Sequence, residues 1–311
     1  MIQVFHAVAA ARAALGACVV TIGKYDGMHL GHQLILQQLQ AEAARLQVPT
    51  LVILSEPQPE EFFAGNTAPA RLNAFHDKVA FLDGFGIDAV YCLRFDHDTS
   101  RQLPEDFVLH TLIDGLGMKG IVVGEDFRFG HHRKGSTETL HHLSSLHGFS
   151  VSAVAPCLDK HERISSTLIR QCLHRGDCMR VSQCLGRPYS ISGTVIAGKK
   201  LGRQLGFPTA NVALLSNKLA LSGVFVVQVE EGAVMRPGVA SMGYNPTVSD
   251  SQQASLEVFL LDYDGDLYGK QLKVNFLHKL RDELKYPTLA ELKQQMALDV
   301  QNTRLYFGAG Q

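Results

Sequence analysis

The chain has 311 residues, enough for two domains at roughly 100–200 residues each. Hydrophobic residues make up 46% and charged residues 19%, a composition that supplies packed cores and excludes disordered or collagen-like chains. Lys and Arg (29) balance Asp and Glu (30) to a net charge of −1, against a protein whose main task is gripping duplex nucleic acid.

Residues 17–23, ACVVTIG, are a short β-branched run ending at glycine, the pattern of a buried parallel strand. KYDGMHLGH follows. The next stretch, QLILQQLQAEAARLQ, spaces Ile35, Leu39, Ala43 and Leu46 as one helical face, and PTLVILS is a second buried strand. Strand, glycine-rich turn, helix and strand form a βαβ unit. A helical stretch near 71–85 leads to DAVYCLRF, one near 104–116 to KGIVVGEDFRFG, and one near 137–146 to FSVSAVAP. Five strands alternating with helices predict a doubly wound α/β domain with a parallel sheet. The pattern changes at Leu185-Gly186-Arg187-Pro188. Beyond it YSISGTVIAG, GVFVVQVEE, MRPGVASMGY and SLEVFLLDYDGDLYGKQLKVNFLHKL are short strands separated by Gly, Asp and Asn turns, which predict an antiparallel barrel. A terminal amphipathic helix follows, with Leu289, Leu292, Met296, Ala297 and Val300 on one face and Thr288 as N-cap. The expected domains are 1–186 and 187–311.

No apolar run is long enough to span a membrane, and His6 and Arg12 interrupt the N-terminal apolar stretch, so it does not read as a signal peptide. The six cysteines include no CxxC, and no His/Cys spacing matches a zinc site; reduced thiols in the cytoplasm are expected. The sequence predicts no particular oligomer, no membrane partner and no nucleic-acid partner.

Four segments carry chemistry. Gly23-Lys24-Tyr25-Asp26-Gly27-Met28-His29-Leu30-Gly31-His32 joins a strand to a helix, whose N-terminus offers free N–H groups and partial positive charge to a phosphate. His29 and His32, three apart, face one ligand, and Gly31 leaves the backbone open. HxGH alone is a weak signal; its place at a strand–helix junction favours function over coincidence. Ile164-Ser165-Ser166-Thr167-Leu168-Ile169-Arg170 reads alone as ordinary N-capping and, beside HxGH, as a second phosphate grip through Arg170. Gly124-Glu125-Asp126-Phe127-Arg128-Phe129 ends a strand where ligands of open α/β sheets bind; core packing accounts for Phe127 and Phe129 but not for Asp126. In the second region Gly198, then Gly202-Arg203-Gln204-Leu205-Gly206-Phe207-Pro208-Thr209-Ala210-Asn211, combines flexible glycines with the oxygens of Thr209 and Asn211, suited to phosphate and Mg²⁺. In SLEVFLLD, alternation groups Glu257 with Phe259 and Leu261; if that side is packed, Glu257 needs a reason, and a general base is one.

Together GKYDGMHLGHQ, EPQPEEFF, VVGEDFRFG, ISSTLIR, LGRPYSISGTVIAGKKLGRQLGFPTANV, SGVFVV, GVASMGYNPT, LEVFLLDYDGDLYGK and the LRDELKYPTLAELKQQMALD tail resemble, in order, the prokaryotic bifunctional riboflavin kinase/FAD synthetases, from about residue 17 to about residue 307. The resemblance implies an N-terminal Rossmann-like FMN adenylyltransferase of the HxGH type. It implies a C-terminal six-stranded riboflavin kinase barrel with a terminal helix. Carried over by position, His29 and His32 would act on ATP phosphates, helped by Gly23, Asp26, Gly31, Ser165, Thr167 and Arg170. Asp126 and Phe127 would face flavin. In the kinase, Gly198, Gly202, Arg203, Gly206 and Pro208 would hold ATP, Thr209 and Asn211 Mg²⁺, Glu257 would be the base, and Arg281 would lie in a flap near flavin. The substrates implied are ATP, riboflavin and FMN, with FMN and FAD as products. The family usually has Asn-Phe where this chain has Lys24-Tyr25, His at Gln58, His or Tyr at Phe259 and Arg at Asn245. A kinase with an inactive adenylyltransferase lobe is the alternative; a non-catalytic flavin-binding protein is a further rival.

Overall fold

The computed structural model describes residues 1–160, 162–198, 201–246 and 252–308. The chain divides into two compact units, Met1–Pro69 with Phe75–Ser165, and Ala70–Ala74 with Ser166–Gln311.

The first unit is a six-stranded parallel sheet of β1 (Gln3–Phe5), β2 (Cys18–Gly23), β3 (Thr50–Glu56), β4 (Ala89–Arg94), β5 (Met118–Gly124) and β6 (Ser150–Val154), in the order β1-β4-β3-β2-β5-β6. The five expected strands are present. The sixth, β1, pairs in three residues with Ala89–Tyr91 and leads into α1 (Val8–Leu15). Strand alternation splits the core in two. Val19, Val52, Val90 and Val122 pack on one face with Leu36 and Leu39 of α2 (Leu30–Leu46) and Leu82. Val20, Ile53, Ile121 and Val123 pack on the other with Phe107, Leu112 and Leu140. Both faces are covered, which is why these strands read as continuous apolar runs. The remaining helices are α3 (Pro59–Ala64), α4 (Phe75–Gly84), α5 (His97–Arg101), α6 (Pro104–Asp106), which runs on as a π-helix over Phe107–Gly115, and α7 (Thr137–His147). A small hairpin, β7 (Leu158–Asp159) and β8 (Glu162–Arg163), closes the unit. The strand order reverses beside β2, whose neighbours are β3 and β5, so the carboxyl ends of β2 and β5 border the crevice where such sheets bind ligands.

The second unit opens with α8 (Ser166–Arg175) and α9 (Cys178–Leu185). This differs from a cut at 186: the buried face of α9, Cys178, Val181, Cys184 and Leu185, packs on strands of the barrel. The barrel is closed and antiparallel. Its ring order is β10 (Ala210–Val212), β13 (Gln252–Leu260), β12 (Val234–Pro246), β11 (Gly223–Glu231), β14 (Gln271–Arg281) and β9 (Tyr189–Ile196), which returns to β10. α10 (Leu201–Leu205) lies between β9 and β10 in sequence. The inside of β13 is Leu256, Val258 and Leu260, all buried. Glu257 and Phe259 are therefore on the side away from the core, and the condition that the Phe259 side is the packed one does not hold.

Helix α11 (Leu289–Gly308) is capped as expected, with Thr288 Oγ1 accepting from the Glu291 N–H at 3.2 Å. Its packed face is corrected in part: Leu292, Met296 and Val300 are partly buried, whereas Leu289 is 58% exposed and Ala297 is exposed, and the buried residues are Asp299 and Thr303. A polar clasp adds to the apolar part of that face, Asp299 accepting from Arg281 through hydrogen bonds of 3.0, 3.2 and 2.8 Å. All six cysteines are free thiols. Among the described residues no helix is long and apolar enough to cross a membrane, and no group of three His, Cys, Asp or Glu side chains is placed to hold a metal.

Candidate active sites

The first site grows from the end of β2. Gly23 has no side chain, and a Cβ there would stand 3.0 Å from the Tyr25 ring. Tyr25 and Met28 both take φ of 48°, a left-handed conformation costly for side chains of their size. Burial of both side chains holds the turn, and the Tyr25 hydroxyl is hydrogen-bonded to Thr21 Oγ1 at 2.7 Å. Asp26 is buried in the same turn. His29 is the N-cap of α2, its Nδ1 accepting from the His32 N–H at 3.2 Å. That bond places the His29 proton on Nε2. The two imidazoles stack with centroids 3.6 Å apart. Gly31 makes the stack fit, since a Cβ there would be 3.2 Å from His29 Cε1 and Nδ1.

Burial, with the Arg163 charge nearby, pushes His29 down to about 4. Burial, then His29, Lys78 and Lys24, holds His32 well below the ordinary histidine value. Both rings are neutral at pH 7, a form that can donate a hydrogen bond to an anion but carries no fixed charge. His32 Nδ1 is buried with no hydrogen-bond partner among the described residues. Asp126, just past β5, pairs with Arg163 at 2.8 Å, and Phe127 stacks on Phe129 at 5.4 Å. Of the second motif, Ser165 closes the first unit, while Thr167 and Arg170 lie in α8 of the second; Arg170 Nε donates to the Ala70 carbonyl at 2.6 Å. Sequence reasoning missed Arg163 and Lys78, because a lone cation in a polar stretch reads as a solvated surface.

The second site is on the outer face of the barrel. Asn211 of β10 lies opposite Glu257 of β13, and Thr209 Oγ1 donates to Glu257 Oε2 at 3.1 Å. Three predicted residues thus meet at one point. Gly198 is required for close approach, since a Cβ there would be 2.2 Å from Asn211 Nδ2. Gly206 takes φ of 90°, and Phe207 meets Phe259 edge-on at 5.6 Å. Arg203 and Pro208 are exposed on the same loop, within which residues 199 and 200 lie outside the described residues. Glu283 is a residue the sequence did not reveal. It accepts from Ser241 Oγ at 3.1 Å, and Ser241 is the cross-strand partner of Glu257. Loss of solvent around its carboxyl, with Glu257 nearby, raises its pKa. Arg281 ends β14, its guanidinium held by Asp299 and lying 5.8 Å from the Tyr286 ring.

Residues 11–168 match the family model for FAD synthetase, and residues 185–307 that for riboflavin kinase. The chain belongs to the bifunctional riboflavin kinase/FMN adenylyltransferase family. It is 44% identical over 287 residues to the Pseudomonas fluorescens protein of that description, covering 92% of each chain. It is 41% identical over 298 residues to the Haemophilus influenzae protein, covering 95% of this chain and 96% of the other. The relative from Escherichia coli K12 is 41% identical over 292 residues, with 94% and 93% covered. A crystal structure from Streptococcus pneumoniae, described as a macrolide-efflux protein, aligns with a TM-score of 0.81 and 28% identity over 98% of this chain and 99% of that one.

Two of the departures from the family pattern, Tyr25 and Lys24, are accommodated locally. The extra hydroxyl of Tyr25 is satisfied by Thr21. Lys24 forms an ion pair with Glu60 of α3. Gln58 is the N-cap of α3, its N–H donating to Glu61 Oε2 at 3.0 Å, and its buried Nε2 has no hydrogen-bond partner among the described residues. The side chain of Asn245 lies outside what the structure describes.

Proposed function

We propose that this chain makes both flavin nucleotides: riboflavin and ATP give FMN and ADP in the second unit, and FMN with a second ATP gives FAD and pyrophosphate in the first. The observation that carries the reading is the meeting of Thr209, Asn211 and Glu257 at one point of the barrel, beside a glycine loop. In the kinase, Glu257 accepts the proton of the ribityl 5′-hydroxyl as that oxygen attacks the γ-phosphate. Thr209 holds the carboxylate toward the loop. The Thr209 hydroxyl and the Asn211 carbonyl are hard oxygen donors of the kind Mg²⁺ takes, so they fit the metal, which when bound would neutralise charge on the phosphates. In the adenylyltransferase the FMN phosphate is already ionised, so attack on the α-phosphate needs no general base. The neutral His29 and His32 and the start of α2 supply hydrogen-bond donors and partial positive charge where negative charge builds. Asp126 and Phe127 at the switch point are the flavin-facing residues of this reading, and Ser165 a further phosphate ligand by family motif. Arg281 is proposed to border flavin from the end of β14. The enzyme is expected in the cytoplasm, acting on small molecules rather than on nucleic acid.

The test is incubation with riboflavin, ATP and Mg²⁺ and chromatographic separation of flavins over time. FMN appearing first and FAD second is expected. FMN without FAD, also from added FMN, would favour a kinase with an inactive first lobe.

A further inference from the structure

The first unit contains a buried cation that the mechanism above does not use. Lys78 of α4 is 1% exposed, and its Nζ donates to the Lys24 carbonyl at 2.9 Å. Removing an ammonium group from water costs several kcal/mol in a real protein. A surface position would avoid that cost, and an uncharged residue in this interior would avoid it too. The location of the charge is informative. The Lys24 carbonyl belongs to the turn that runs through the left-handed Tyr25 and Met28 to the His29 cap, a segment strained at two non-glycine residues. Lys24 itself is committed through its side chain to Glu60, so its own charge is offset. The Lys78 charge acts on His32, with a smaller contribution from Lys24, and the His32 ring stacks on His29 and lies tilted against Tyr25.

We propose that Lys78 is a positioning residue of the adenylyltransferase site: its buried ammonium pins the Lys24 carbonyl, and so the turn carrying His29, and places a fixed positive charge behind the point where ATP phosphates bind. It acts through the loop and through the field, without touching substrate. A fixed charge in a water-poor place is already oriented when negative charge develops, so it needs no rearrangement during the reaction. It also helps keep His32 neutral, the form in which that ring meets an anion as a hydrogen-bond donor rather than as a second cation. The inference rests on the adenylyltransferase reading of this site.

Full-length Lys78→Met and Lys78→Arg are compared with wild type. Met keeps the length and removes the charge; Arg keeps the charge. For Lys78→Met, kcat/KM for ATP in FAD formation from FMN is expected to fall about 10–100-fold, with riboflavin phosphorylation by the same preparation unchanged. Lys78→Arg is expected to recover part of the loss. The second measurement is independent of turnover: the imidazole titration of His32, followed by nitrogen NMR, is expected to move to higher pH in Lys78→Met and not in Lys78→Arg. Wild-type FAD formation in Lys78→Met, or an unmoved His32 titration, would overturn the proposal. So would parallel loss of both activities with a lowered melting temperature, since Lys78 would then serve the fold alone. If wild-type protein makes no FAD, the adenylyltransferase reading fails by itself, and the His32 titration still decides whether the Lys78 charge acts on this site.

Discussion

His29 shows at the scale of one residue how a site can be built from a neutral ring. Its Nδ1 is used as a helix cap and its surroundings hold it at about 4, so the proton it offers is the one on Nε2. That has a consequence for stability. The folded value lies below the unfolded value near 6.5, so the unfolded chain binds the extra proton first as pH falls. Stability from the neutral ring is present above about pH 6.5 and is lost as pH drops toward 4, by roughly 3 kcal/mol for His29 alone. Hydrogen exchange of the α2 and β2 amides is expected to show this loss in wild type and a smaller one in His29→Asn, which keeps a cap without a titrating ring. Glu257 is tested by Glu257→Gln. Riboflavin phosphorylation should fall about 10²–10⁴-fold, while FAD formation from supplied FMN continues at the wild-type rate. Retained phosphorylation would remove Glu257 as the base.

Elements place these residues, and two substitutions away from the chemistry report on how. Gly198 lets the loop after β9 lie against Asn211. Gly198→Ala drives a Cβ into that side chain, so phosphorylation is expected to drop by about 10-fold or more, with FAD formation from FMN unaffected; both are read in one coupled assay. Helix α11 is held by Asp299, which is buried and grips Arg281. Asp299→Ala leaves a mostly buried guanidinium without its carboxylate and should cost about 3–5 kcal/mol, measured as a lowered thermal transition of the barrel. These elements also show what could be read in advance. The four inner strands β2 to β5 are legible because burial on both faces makes them apolar runs, and the GFPTAN and HxGH segments because glycine and histidine spacing survives in one dimension. β1 escaped notice because three residues carry no period. The face of α11 is legible only in Leu292, Met296 and Val300, because its buried anchor is an ion pair, which a hydrophobic pattern does not register. Lys78, Arg163 and Glu283 became visible only when folding put distant charges beside a motif.

At the scale of the whole molecule the two units have different physics, a parallel sheet with a helix start at its switch point and a closed barrel with its candidate site on the outer face. The boundary between them is a testable quantity. Helices α8 and α9 belong compactly with the barrel. Val181, Cys184 and Leu185 of α9 are buried in that packing. The turn between the two helices is fitted to β14 as well, since a Cβ at Gly176 would be 2.1 Å from Lys279 Cδ. A kinase fragment cut at Arg187 keeps every strand but exposes the apolar surface that α9 covers. Burial of two or three such side chains contributes about 3–6 kcal/mol as an upper figure. A fragment of residues 166–311 is therefore expected to melt well above one of residues 187–311, followed by circular dichroism on the two purified pieces, and to phosphorylate riboflavin over a wider temperature range. Equal melting temperatures would show that the barrel closes without its two helices, and would move the proposed domain boundary back to the chain turn at Gly186.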